Sequence, residues 1–142
     1  MGQVHADFQL TNFLTKESVT IRALVDTGAT NVFVTAEVAR ALGVDPEELS
    51  QANVTMADGR RIPVPRLPPL EIRFGSRTYY GTAYVMGDEC LVGVIPLEAM
   101  DLVIDLKNQT LGVNPAYPDA QFLRIPHSAL LQLLAPELRR RV

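Results

Sequence analysis

Short runs of alternating apolar and polar residues, each ended after a few positions by a turn signal, constrain this chain more than any other feature in it. Val4, Ala6, Phe8 and Leu10 alternate with polar neighbours, a largely polar break spans residues 12–18, and residues 19–25 resume as a second strand. Side chains that recur every second position share one face of a strand, so this stretch reads as a hairpin with one buried face. The pattern returns at Leu70, Ile72 and Phe74, which alternate with Glu71 and Arg73 up to Gly75-Ser76. Residues 78–86 then follow as one long aromatic and β-branched strand, and residues 102–106 and 110–113 flank Lys107-Asn108-Gln109 as a further strand-turn-strand unit. Residues 53–57 and 60–64 flank Asp58-Gly59, the dipeptide that most readily makes a two-residue type I′ turn, because both central residues tolerate positive φ. Pro63, Pro65, Pro68 and Pro69 follow closely. A segment so short of amide donors is expected to be extended and edge-like.

Helix is the minor component. Thr35 is a good N-cap, and Ala36, Val38, Ala39 and Leu42 precede Gly43 in the position that ends a helix, which brackets about two turns. Asp45-Pro46-Glu47-Glu48 predicts one further turn. Residues 90–95 form an apolar run with an internal Gly93, which suggests a close backbone approach, and a short helix is expected over residues 96–100. Pro115 and Pro118 end the strand-rich part. Beyond them Ala129, Leu130, Leu131, Leu133 and Leu134 fall at helical spacing, closed by Arg139-Arg140-Arg141. The chain thus divides into an all-β, barrel-like domain over residues 1–114, with one or two short helices, and a C-terminal extension over residues 115–142 that reads as helical. That extension reads as a helix packed on the domain, with a partner-binding tail as the alternative.

Composition removes several classes of function. With 142 residues the chain is long enough for one core without metals or disulfides. Its 13 basic and 16 acidic residues give a net charge of -3, with no basic stripe of the kind that tracks nucleic acid. Cys90 is the only cysteine, and His5 and His127 are the only histidines, so no zinc ligand set, other metal site or disulfide framework is expected. The first seven residues lack a basic region followed by an apolar core, and no segment has the length of a membrane span. A cytoplasmic protein with no membrane or nucleic-acid partner is the expectation.

One stretch carries chemistry. Ala23-Leu24-Val25-Asp26-Thr27-Gly28-Ala29-Thr30 brings a strand to an abrupt end in an acid, a hydroxyl and a glycine. A carboxylate beside Leu24 and Val25 loses hydration unless hydrogen bonds replace it. Asp26 is therefore either a turn-former bonding its own backbone or an acid whose altered environment is used.

Three landmarks together resemble the retropepsin-like aspartic proteases, in particular the prokaryotic single-domain members. They are Asp26-Thr27-Gly28-Ala29 after an apolar strand, the Asp58-Gly59 hairpin, and Leu91-Val92-Gly93 followed by a short helix and the strand Leu102-Val103-Ile104-Asp105. The resemblance runs from about residue 19 to residue 113. It implies a closed β-barrel and an aspartic endopeptidase that uses no metal or organic cofactor. It also implies that Asp26 is the catalytic acid, and that Thr27 cross-links two loops beneath the carboxylates. Gly28 and Ala29 would meet substrate, the hairpin tip Ala57, Asp58 and Gly59 would close over it as a flap, and Gly93 would let two loops cross closely. Two carboxylates sharing a proton are needed, and the chain has one Asp-Thr-Gly and no Asp-Ser-Gly, so the site is expected from a homodimer acting on a polypeptide. The alternative is the same fold kept as a dimerisation or peptide-binding module without turnover. A haloacid dehalogenase arrangement is excluded, because it needs a second Asp where Gly28 stands. In a third reading, a structural β-domain with a chance Asp-Thr-Gly, the other two landmarks are coincidence.

Overall fold

The computed structural model describes residues 3–116, so the expected helix of the C-terminal extension lies outside the described residues. Along the chain run β1 (His5–Asn12), β2 (Ser18–Val25), β3 (Val32–Val34), α1 (Ala36–Ala41), β4 (Gln51–Thr55), β5 (Arg61–Pro65) and β6 (Leu70–Phe74). They are followed by β7 (Arg77–Gly81), β8 (Ala83–Val85), β9 (Leu91–Val92), α2 (Val94–Ala99), β10 (Leu102–Asp105) and β11 (Thr110–Val113).

Seven strands form one sheet in the order β7-β6-β1-β2-β9-β3-β8. The antiparallel β1–β2 hairpin has His5 opposite Leu24 and Thr11 opposite Ser18. This register turns Ala6, Phe8 and Leu10 to the same side as Ile21, Ala23 and Val25, and all six are buried. Leu70 and Ile72 of β6 and Val92 of β9 join them, each fully buried side chain contributing roughly 1.5–3 kcal/mol.

The two edge strands, β7 and β8, are separated in sequence by Thr82 alone, so the sheet has to curl until its edges meet. The covalent chain, rather than a hydrogen-bonded ladder, brings the edges together, and the sheet is the expected barrel, nearly closed. The long strand expected over residues 78–86 is for the same reason two strands. One half pairs with β6, and the other leaves it to run parallel to β3, Val32 facing Ala83.

Capping holds the short helices in place. Thr35 Oγ1 accepts from the Val38 amide at 3.2 Å at the start of α1, and the Leu42 carbonyl at its end accepts from Asn12 Nδ2 and Thr15 Oγ1 at 2.9 and 2.8 Å. The first hairpin is thereby stitched to the helix end. Asp45 caps a single 3-10 turn, Pro46–Glu48. α2 begins at Val94, two residues earlier than expected, because Gly93 already has extended geometry and serves as its N-cap.

β4 and β5 form a separate two-stranded ribbon in which Ala52, Val54, Met56, Ile62 and Val64 are half-buried or buried while Gln51, Asn53, Thr55, Arg61 and Pro63 are exposed. Its prolines are tolerated because a two-stranded ribbon always has an edge without a ladder partner. The turn is not the two-residue type I′ form. The Gly59 amide donates to the Met56 carbonyl at 2.9 Å and the Met56 amide to the Arg60 carbonyl at 2.7 Å, which makes Ala57-Asp58-Gly59 a three-residue loop. Only Gly59 takes positive φ, at 87°, and Asp58 instead bonds the Arg60 amide through its side chain. β10 and β11 make a second ribbon, Leu102 opposite Val113.

Candidate active site

Asp26 sits where β2 ends, and the strand beside it determines its position. Its amide donates to the Val92 carbonyl of β9 at 3.0 Å, continuing the parallel pairing of Val25 with Val92 by one bond. The chain then turns tightly: Asp26 Oδ1 accepts from the Gly28 amide at 2.9 Å, and the Asp26 carbonyl from the Ala29 amide at 3.1 Å. The turn-forming role is thus real, and it uses one carboxylate oxygen. Among the described residues, Oδ2 has no donor. The side chain is half-buried, whereas Thr27 and Gly28 are exposed. A Cβ on Gly28 would lie 3.1 Å from Asp26 Oδ1, so the glycine leaves the carboxylate its space.

A second loop locks the first. The Gly93 amide donates to the Asn31 carbonyl at 2.8 Å, the Val94 amide to Ala29 at 2.9 Å, and the Ile95 amide to Thr30 at 3.0 Å. Three consecutive amides thus meet carbonyls of the segment just after the Asp-Thr-Gly turn. Such an approach leaves no room for a side chain: a Cβ at Gly93 would fall 2.5 Å from the Ala29 oxygen and 2.7 Å from the Asn31 oxygen. The close backbone contact expected of Gly93 is present. Ala29 uses both backbone groups inside this assembly, which leaves its methyl as the part it can present.

Asp26 and Thr27 open onto a cleft of about 310 Å³ lined also by Gln3, Val4, Leu24, Val25, Ile104 and Leu106. This lining contains no second carboxylate. Ile104 and Leu106 were not singled out from sequence, although the alternation of residues 102–106 holds the signal that places both on one side of the strand. Ala57, Asp58 and Gly59 are brought together at the exposed tip of the β4–β5 ribbon. There Asp58 pairs with Arg60, and these hydrogen bonds hold its carboxyl below the usual carboxylate range. Among the described residues, no group of three or more His, Cys, Asp or Glu side chains could hold a metal ion, and no helix is long and apolar enough to cross a membrane.

A barrel that delivers an Asp-Thr-Gly turn against a crossing glycine loop defines a retropepsin-like aspartic protease. The aspartyl protease family model matches residues 14–102, more than half of the sequence, and the chain belongs to that family. It is an aspartic-type endopeptidase, a hydrolase. No curated protein matches it in sequence. Among solved structures, a retropepsin-like aspartic protease from Rickettsia conorii is similar at a TM-score of 0.51 and 21% identity, covering 73% of this chain and 88% of that one. The EIAV protease, in complex with the inhibitor HBY-793, matches at 0.52 and 14% identity over 68% of this chain and 86% of its own. The retroviral protease-like domain of Ddi1 from Leishmania major matches at 0.50 and 20% identity over 87% and 95%. At these identities the likeness is one of fold.

Proposed function

We infer that the chain hydrolyses peptide bonds as a homodimer, with Asp26 of each subunit meeting across a two-fold axis. One observation carries this reading. Among the described residues, Asp26 presents an oxygen without a donor beside the exposed Thr27 and Gly28, and its cleft is lined by no second acid. A single carboxylate can accept a proton from water, but it cannot at the same moment donate one to the carbonyl oxygen of the substrate. Two carboxylates held close divide the roles, because like charges a few ångströms apart share one proton rather than both ionise. The ionised Asp26 takes a proton from water, whose oxygen bonds to the carbonyl carbon, while the protonated Asp26 gives its proton to the carbonyl oxygen. The dyad then gives the proton it took from water to the amide nitrogen and takes one from a hydroxyl of the tetrahedral diol, so the carbonyl re-forms as a carboxylic acid, the carbon–nitrogen bond breaks and the pair again holds one shared proton.

The other residues follow from this arrangement. Thr27, whose hydroxyl has no partner among the described residues, would bond the partner's loop beneath the dyad. The Gly28 carbonyl and the Ala29 methyl would face an extended polypeptide, which Ala57, Asp58 and Gly59 would cover as the β4–β5 ribbon closes. Gly93 supports the Asp26 loop from behind. Residues 1–114 would form the protease unit and residues 115–142 an appended segment.

The test is a mixing experiment. Asp26→Asn is isosteric and cannot serve as base, so the variant should fold and dimerise yet cleave nothing. Added in excess to the native chain, it should remove activity through dead heterodimers, and specific activity should fall on dilution. The active species should also show a bell-shaped pH profile, because the dyad has to hold one proton. Activity proportional to concentration and indifferent to the mutant chain would refute the shared dyad, whereas a native chain that forms the dimer and cleaves no peptide would leave a peptide-binding or dimerisation module as the surviving use of the interface.

A further inference from the structure

The tip of the β4–β5 ribbon, Met56-Ala57-Asp58-Gly59-Arg60-Arg61, holds one glycine and two arginines. The loop depends on Gly59 for its single positive φ, and a Cβ there would meet no atom within 4 Å, so among the described residues nothing packs against that side of Gly59 to hold the loop's shape. Bracing comes from the residues on either side. Asp58 Oδ1 accepts from the Arg60 amide at 3.0 Å, and Oδ2 from Arg60 Nε at 2.6 Å. One carboxylate therefore holds both the backbone and the side chain of Arg60 across the glycine, the most flexible residue in the turn. The two arginines differ in what remains open to them. Arg60 is engaged by Asp58, whereas Arg61, opposite Thr55 in the ladder, projects from the exposed polar face with Gln51 and Asn53, away from the apolar face of Val54, Met56 and Ile62. Arg61 is therefore not placed to read an acidic substrate from the apolar face of the ribbon.

We propose that Asp58 and Arg60 form a latch across Gly59 that keeps the tip of the β4–β5 ribbon in one shape, and that both are positioning residues for the bound peptide. This rests on the flap reading above. A stiff tip reduces the conformational entropy lost when the ribbon closes, and that gain appears in substrate binding more than in the chemical step.

The latch is testable with and without turnover. In the inactive Asp26→Asn protein, amide hydrogen exchange at Met56 and Gly59 reports opening of the tip directly. Asp58→Asn keeps an acceptor for the Arg60 amide and loses the ion pair, so it should speed exchange about two- to fivefold, the range for an exposed pair. Asp58→Ala also loses the amide acceptor and should speed it further. Arg60→Gln should match Asp58→Asn, the Asp58→Asn/Arg60→Gln double variant should be no faster than either single one, and about 1 M salt should move the Asp26→Asn parent but not the Asp58→Asn variant. In the active enzyme the same substitutions should raise KM by a similar factor with kcat changed less than twofold. Unchanged exchange, or singles that add in the double variant, would overturn the latch. Faster exchange with unchanged KM would overturn its positioning role and leave the endopeptidase reading standing. Absence of any peptide cleavage by the native chain would refute that reading instead, with the exchange data still deciding the latch.

Discussion

Substituting Gly93 by alanine adds one methyl group where two backbones cross, and its cost follows from distances. The new Cβ would stand 2.5 Å from the Ala29 oxygen, 2.7 Å from the Ala29 carbonyl carbon and 2.7 Å from the Asn31 oxygen. All three are backbone atoms, which cannot swing aside as a side-chain terminus can. Relief to an ordinary contact requires the two loops to separate by nearly an ångström, and the separation falls on the bonds from Gly93 to Asn31, Val94 to Ala29 and Ile95 to Thr30, now 2.8, 2.9 and 3.0 Å. Each such bond contributes about 0.5–1.5 kcal/mol net, so weakening all three, with residual overpacking, should cost about 2–4 kcal/mol. For a chain of this size that corresponds to a fall in Tm of roughly 6–12 °C, measurable by calorimetry. Activity should fall further than stability alone explains, since the same displacement moves the turn that aims Asp26. Gly59→Ala is the control: no atom lies within 4 Å of its Cβ, so only the strain of φ 87° applies, about 1–2 kcal/mol. A Gly93→Ala protein whose Tm and activity match the native chain would refute the reasoning, because it would mean that the loops do not hold each other at this distance.

If Thr27 bonds the partner's loop as proposed, Thr27→Ala should raise the dimer dissociation constant by an amount equivalent to roughly 1–3 kcal/mol; sedimentation of the two proteins by analytical ultracentrifugation checks this, and an unchanged constant would take Thr27 out of the interface. Chelation with EDTA should leave peptidase activity intact, and a loss restored by a divalent ion would overturn a metal-free mechanism. The β10–β11 turn should be acid-sensitive, because the Asn108 side chain and amide, at 2.7 and 3.1 Å, hold the Asp105 carboxyl below its usual range. A carboxylate with a depressed folded pKa contributes stability above its unfolded value, near 3.9, and that contribution is lost as pH falls through the lower folded value. The Asn108 amide resonance should therefore titrate with a midpoint below that of a model aspartate and stop titrating in Asp105→Asn; a midpoint at or above the model value would refute the assignment.

The residues themselves determined the elements whose causes are local. Period-two alternation placed β1, β2 and β6, because a half-buried strand needs nothing more than a face, and Thr35 and Asp45 marked their helical turns, because a capping side chain reaches only amides two or three residues away. Asp26-Thr27-Gly28 was legible for the same reason, its turn closing on its own amides. The Asp58 turn shows where local reading stops: the dipeptide suits a two-residue type I′ turn, yet the Arg60 guanidinium offers the Asp58 carboxylate a partner that favours the three-residue form. Tertiary structure alone decided that residues 78–86 break at Thr82, since the break serves two strands far apart in sequence, β6 and β3. It alone set Ile104 and Leu106 beside Asp26 and the amides of residues 93–95 against the carbonyls of residues 29–31. Those contacts join segments more than sixty residues apart, and whether two such segments meet depends on the strand order of the whole barrel, which no local pattern encodes.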